Sequence, residues 1–174
     1  MNLDLGNYAT TMARYNRWMN ANLYTAVAPL GDAKRKANRG LFFGSMHGTL
    51  NHLLLVDRMW LARFTGAPAV AAKLDDELFA DFEDLNKARE HTDDDIERWA
   101  ASLAASPPPE RLRYISVSQN TARDVDFAQA IVHFFNHQTH HRGQITAALS
   151  QCGVDFGITD LIFMSGATEP GRRA

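Results

Sequence analysis

Cysteine is almost absent from this 174-residue chain, where Cys152 stands alone. A single thiol excludes an intramolecular disulfide and a cysteine-rich zinc module, and it suits a reducing compartment. Long apolar runs are missing as well. No stretch approaches the ~20 residues that a membrane-spanning helix requires, so no membrane role is expected. The opening MNLDLGNYATTMARYNRW carries an early Asp4 and no continuous apolar core, which argues against a secretory leader. A cytoplasmic protein is the expectation. Neither sign of charge dominates: the formal net charge is −2 and the longest basic run is Lys34-Arg35-Lys36. Nucleic acid is therefore not an expected partner. The strings HExxH and ExxH do not occur, which excludes a zincin active site and a ferritin-like di-iron site.

What is present is a globular composition, 45% apolar and 22% charged. The length suggests one domain over residues 1–165, followed by a frayed tail over 166–174. Four segments repeat apolar residues at helical spacing. The first covers 8–27 and stops at Pro29 and Gly31. The second covers 45–64 and ends at Thr65-Gly66-Ala67-Pro68. The third covers 82–104, with Glu83, Asp84, Lys87 and Glu90 on one face and Leu85, Ile96, Trp99 and Leu103 on another. The fourth covers 127–151 and stops at Gly153. Residues 67–81 read as a loop with one helical turn. The β-branched and aromatic stretch 112–117 reads as a short strand or hairpin before the last helix. The expected fold is an all-α four-helix bundle with long connections, two of them long enough to cross the bundle.

The most informative stretch is HFFNHQTHHRGQI, residues 133–145, which holds four of the seven histidines. Helical positions four apart lie ~40° apart on one face. His133, His137 and His141 thus form a stripe that Gln144 continues, while His140 stands off it. An i,i+4 imidazole pair can hold a divalent cation from one side, and neutral nitrogen suits zinc, nickel, copper or iron. A third ligand must come from elsewhere. His47 and His52 are both candidates, each ~100–120° from the middle of the second helix's apolar side. Periodicity does not choose between them. His91 follows a charged, solvated run and is a poorer candidate. Asp57 falls on an apolar side and reads as a structural pair or as a partner orienting an imidazole. Arg142 reads as the partner of a carboxylate, and Cys152 as a buried structural thiol. Tyr15, Trp18, Trp60 and Trp99 recur at core spacing.

NHQTHHRGQI at 136–145, TLNHLLLVDRMWLAR at 49–63 and YNRWMNANLY at 15–24 together resemble the DinB-like family of metal-binding bundles (the DinB/YfiT type). RGLFFGSMHG at 39–48 and DLIFM at 160–164 extend the resemblance over nearly the whole chain. The resemblance implies a four-helix bundle, often a homodimer, with zinc or nickel held by one histidine of the second helix and an HxxxH pair of the last. Carried over by motif, those ligands are His52, His137 and His141. It also implies a small-molecule substrate, in some relatives a low-molecular-weight thiol. Three neutral histidines leave a zinc-like ion an open position, as in catalytic sites. A metal-dependent hydrolase or thiol transferase is the resulting expectation, with His133 as an acid–base candidate and Gln144 as a hydrogen-bonding one. The alternative is a non-catalytic, stress-related dimer in which metal stabilises the bundle.

Overall fold

The computed structural model describes residues 4–68 and 73–164. Four long helices account for most of it: α1 (Leu5–Val27), α3 (Met46–Thr65), α4 (Phe82–Ala105) and α5 (Phe127–Gln151). A short α2 (Gly31–Lys36) follows a 3-10 turn at Ala28–Leu30, and a second 3-10 turn occupies Leu161–Phe163. Each long helix starts on a side chain that accepts a hydrogen bond from an otherwise unpaired backbone N–H. These caps are Asp4, Ser45, Asp81 and Asp126. Gly66 ends α3 at φ 70°, a left-handed conformation that glycine adopts without strain.

The expected fold needs two corrections. The chain is not all-α: β1 (Arg111–Ser116) and β2 (Thr121–Asp126) form an antiparallel hairpin, with Arg111 opposite Asp126 and Ser116 opposite Thr121. The strand or hairpin read at 112–117 is a hairpin, with β1 as its first strand. Its partner was hidden because TARDVD is too charged to alternate visibly. Pro29 and Gly31 do end α1, but helical structure resumes at once in α2. The described residues of the 67–81 connection contain one hydrogen-bonded turn, in which the Asp76 N–H donates to the Lys73 carbonyl, and no helix. The tail expected over 166–174 lies outside the described residues.

Contacts between the long helices give their directions. Gly6 of α1 lies against Ala104, and Asn20 reaches Asp93, so α1 and α4 run antiparallel. Tyr8 meets Phe135 and Asn16 meets Arg142, so α1 and α5 run parallel. Trp60 meets His133 and His52 meets His141, so α3 and α5 are antiparallel. Asp57 meets Arg89 and Phe64 meets Trp99, so α3 and α4 are parallel. The order is up-down-down-up. The turn through α2 and the β hairpin each carry the chain between helices that are not neighbours. Residues 74–79, between α3 and α4, instead run back along α3, with Leu74 at His52 and Phe79 at His47.

The interior has an aromatic end and an aliphatic end. Trp60, Trp99, Phe127, Phe134 and Phe135 fill the first, with the Phe64 ring stacked 4.6 Å from that of Trp99. Leu23, Leu50, Leu54, Leu85, Ile145 and Leu149 fill the second. Cys152 is only partly buried and packs against this aliphatic end. Between them lies a buried polar layer. Arg89 pairs with Asp57 at 2.6 Å and Asp93 at 2.9 Å; Gln138 donates to Asp57, and Asn16 and Asn20 donate to Asp93. Arg142 completes the layer by donating to the Asn16 amide oxygen rather than to a carboxylate. Two carboxylates and two guanidinium groups balance in charge, as buried ions must.

Candidate metal centre

The histidines lie where α3 and α5 face each other. In α3 every residue from Met46 to Val56 except Gly48 is buried, because α4, α5 and the returning connection cover it on several sides. A helix enclosed in this way has no single apolar stripe, so a wheel cannot separate its two histidines. The structure does. His47 turns away: its Nε2 lies 2.9 Å from the Phe79 carbonyl oxygen and 3.6 Å from Glu77. His52 turns toward α5, where its ring centroid is 5.2 Å from that of His137 and 4.7 Å from that of His141.

One ring nitrogen from each of His52, His137 and His141 lies within 4.8 Å of the others. The Nε2 atoms of His52 and His137 are 3.3 Å apart. Two nitrogens bound ~2.1 Å from one tetrahedral zinc stand about 3.4 Å apart, so this spacing fits a shared cation.

The hydrogen bonds around the rings suit the same use. His52 Nδ1 lies 2.8 Å from the Leu74 carbonyl oxygen, which can only accept; the proton is therefore on Nδ1 and the lone pair on Nε2. His141 Nδ1 lies 2.8 Å from Gln144 Oε1, which leaves its Nε2 bare in the same way. Buried His137 Nδ1 has no protein partner among the described residues. With its Nε2 facing the lone pair of His52, a proton or a cation is needed between the two rings.

Burial keeps all three imidazoles neutral. Desolvation lowers His52 to about 4 and, with the neighbouring histidines adding to it, lowers His137 to about 3. His141 is lowered too, chiefly by burial, against the pull of Gln144. Metal ligation requires this deprotonated form.

Phe43, in the loop before α3, stacks on His52 with ring centroids 3.7 Å apart. Gly48 makes that approach possible. A Cβ at this position would lie 2.4 Å from the Phe43 carbonyl oxygen, inside any tolerable contact. Gly48→Ala is expected to push the loop outward, cost about 1–3 kcal/mol and unstack Phe43 from His52. A lower urea midpoint, with loss of the ring-current shift on His52 protons in NMR spectra, is the result that checks this.

The remaining candidates separate clearly. His133 is exposed on one side, with its ring centroid 5.1 Å from that of Trp60 and 6.0 Å from that of His137. Burial, with the charge of Arg63, lowers its pKa. His140 is exposed and 3.2 Å from Gln144 Nε2. His91 lies on the outside of α4 near Asp95. Asp57 sits in the buried polar layer, bonded to Arg89 and Gln138, and not against an imidazole nitrogen. Phe43 and Leu74 had no signature in the sequence, since the stacking face of one and the backbone oxygen of the other act only through the fold.

Two cavities flank the cluster and share His52 and Leu74. One, of about 220 Å³, adds His133, His137, Trp60, Arg63 and Tyr114. The other, of about 540 Å³, adds Phe42, Phe43, His140, His141 and Gln144. No helix among the described residues is long and apolar enough to cross a membrane.

The sequence profile of the DinB family matches residues 2–172. "Protein DinB" of Bacillus subtilis (strain 168) is 26% identical over 165 residues, covering 90% of this chain and 92% of the relative. No solved structure matches.

Proposed function

Starting from the chain's membership of the DinB family, we propose that His52, His137 and His141 hold one divalent cation, zinc or nickel, in a metal-dependent enzyme of hydrolase or thiol-transferase type. The observation that carries this reading is the convergence of three neutral imidazoles, two of them with Nδ1 committed to a protein oxygen and Nε2 left bare. A bound cation would supply Lewis acidity and favour the deprotonated form of a water or thiol at neutral pH.

The chain's own groups supply the rest. Leu74 and Gln144 fix the orientation of two imidazoles. Phe43 covers the outer face of His52 and keeps bulk water from it. His133, kept neutral at the cavity wall, can accept a proton at a ring nitrogen from a group bound there and return it to a leaving group.

The test is the metal content of untagged protein by inductively coupled plasma mass spectrometry, with His52→Ala, His137→Ala and His47→Ala alongside. Near-stoichiometric metal in the parent and in His47→Ala, with loss in the other two, is expected. A parent that takes up neither zinc nor nickel would end the proposal. If the parent binds metal and its Tm falls on chelation, but a panel of esters and thiols gives no turnover, the non-catalytic reading takes its place.

A further inference from the structure

The smaller cavity contains a cation that the three histidines leave unexplained. Arg63 lies on the last turn of α3, half-buried, at the wall shared with His133, His137 and His52. Its guanidinium carbon stands 4.7 Å from the Trp60 ring centroid and 4.2 Å from that of Tyr114. Among the described residues its one side-chain hydrogen bond goes to the Met59 thioether, a weak acceptor.

The other arginines in and around the bundle core are better satisfied. Arg17 pairs with Asp94 and Glu97, Arg35 with Asp32, and Arg89 with Asp57 and Asp93. Arg58 donates to Thr92 and to the Ala88 carbonyl. Arg63 has no carboxylate partner among the described residues, and burial weighs against its charge while Tyr114 favours it. A guanidinium held in place by two aromatic faces has already lost much of its freedom. Its remaining donors are poorly used by the protein and stay accessible to a bound group, because the side chain is only half-buried.

We infer that this cavity binds the carboxylate of a small organic acid on Arg63, with the body of the molecule along the apolar wall of Val56, Trp60 and Tyr114 and its far end at His52 and His137. The planar fork of donors matches a carboxylate, and the rings offer apolar area to the carbon skeleton. The hydroxyls of Ser116 and Ser118, at the end and turn of the β hairpin, lie on the same wall. At about 220 Å³ the cavity admits a molecule the size of a single substituted ring or a short chain. Its proximity to the histidines makes Arg63 a specificity-determining group for the proposed enzyme, and in that respect the inference rests on the metal reading. The anion site itself needs no metal.

Benzoate and its neutral isostere benzamide are suitable probes, followed by Trp fluorescence and saturation-transfer NMR on the full chain, both zinc-loaded and metal-stripped. Arg63→Met keeps the stem that packs on Trp60 and removes the charge; Arg63→Lys keeps the charge and removes the fork. Arg98→Met, on exposed α4, is the control. Benzoate should bind the parent and Arg98→Met and bind Arg63→Met at least tenfold more weakly, with Arg63→Lys between, in both metal states. Benzamide should bind no better to the parent than to Arg63→Met. Thermal melts of each variant establish that it is folded. If benzoate affinity is unchanged in a folded Arg63→Met, or if benzamide binds as well as benzoate, the inference is wrong. Binding that vanishes on metal removal and ignores Arg63 would also overturn it while leaving the metal reading intact. Arg63-dependent binding in a protein that takes up no metal would do the reverse.

Discussion

Replacing Arg89 with methionine is expected to lower the stability of the fold by about 3–5 kcal/mol at neutral pH. The guanidinium is 2% exposed and lies between the Asp57 and Asp93 carboxylates. Methionine fills much the same space but leaves two buried acids facing one another. Gln138, Asn16 and Asn20 still donate to them, but neutral amides cannot balance two negative charges. The loss should carry a pH signature whose sign is fixed. Burial already raises both carboxyl groups against the pull of Arg89, and without Arg89 they rise further. A carboxyl raised in the folded state favours folding at low pH and loses that contribution as pH rises through its folded pKa. The deficit of Arg89→Met should therefore be largest near pH 7 and shrink toward pH 4. Urea unfolding followed by circular dichroism across that range measures it. An unchanged midpoint at pH 7 would mean that the buried layer contributes no net stability.

Acidification of metal-stripped protein should produce the second large effect. His52 ordinarily titrates near 6.5 but is lowered to about 4 in the fold, and His137 to about 3. Between pH 6.5 and 4 the unfolded chain therefore binds more protons than the folded one, and stability falls as pH falls. The contribution is complete above pH 6.5. For buried His52 alone the loss across the window is about 3 kcal/mol. His52→Phe should remove part of that slope while retaining an aromatic ring under Phe43. Denaturant titrations of parent and variant at pH 7.5, 6, 5 and 4.5 give the comparison; parallel curves would show that His52 is not held neutral by the fold. Adding zinc should raise parent stability above pH 6 and have less effect as the pH falls, because the ligands must be deprotonated.

The long helices were legible from spacing and stop signals. The expected 127–151 coincides with α5, and the other three agree within three residues at each end. Of the shorter elements, β1 was legible and α2 and β2 were not. Six residues of α2 are too few to show a period, and β2 is too polar to alternate. The buried polar layer was the larger omission. Arg89 stands between Lys87 and Glu90, and nothing local distinguishes it from a solvated residue of the same helix. The i,i+4 histidine stripe was visible because His133, His137 and His141 all lie on one helix. The choice of His52 came from resemblance, since α3 is enclosed on too many sides for amphipathicity to point anywhere. The elements around the rings, Phe43 and the Leu74 carbonyl, depend on chain segments brought together only by the fold.

The connection from α3 to α4 has a consequence for how much variation the chain can accept. Surface loops ordinarily tolerate insertions and deletions at little thermodynamic cost. This one has to return along a parallel neighbour, and on the way its backbone touches His52 at Leu74 and His47 at Phe79. A single residue added or lost between Leu74 and Phe79 would move one of these two carbonyl groups off its histidine and free that ring nitrogen. The ring could then exchange its proton between nitrogens and present N–H where a lone pair had been. Loop length between Leu74 and Phe79 acts as a tautomer lock, and natural length variation in this family should avoid that segment even where the bundle itself would absorb it.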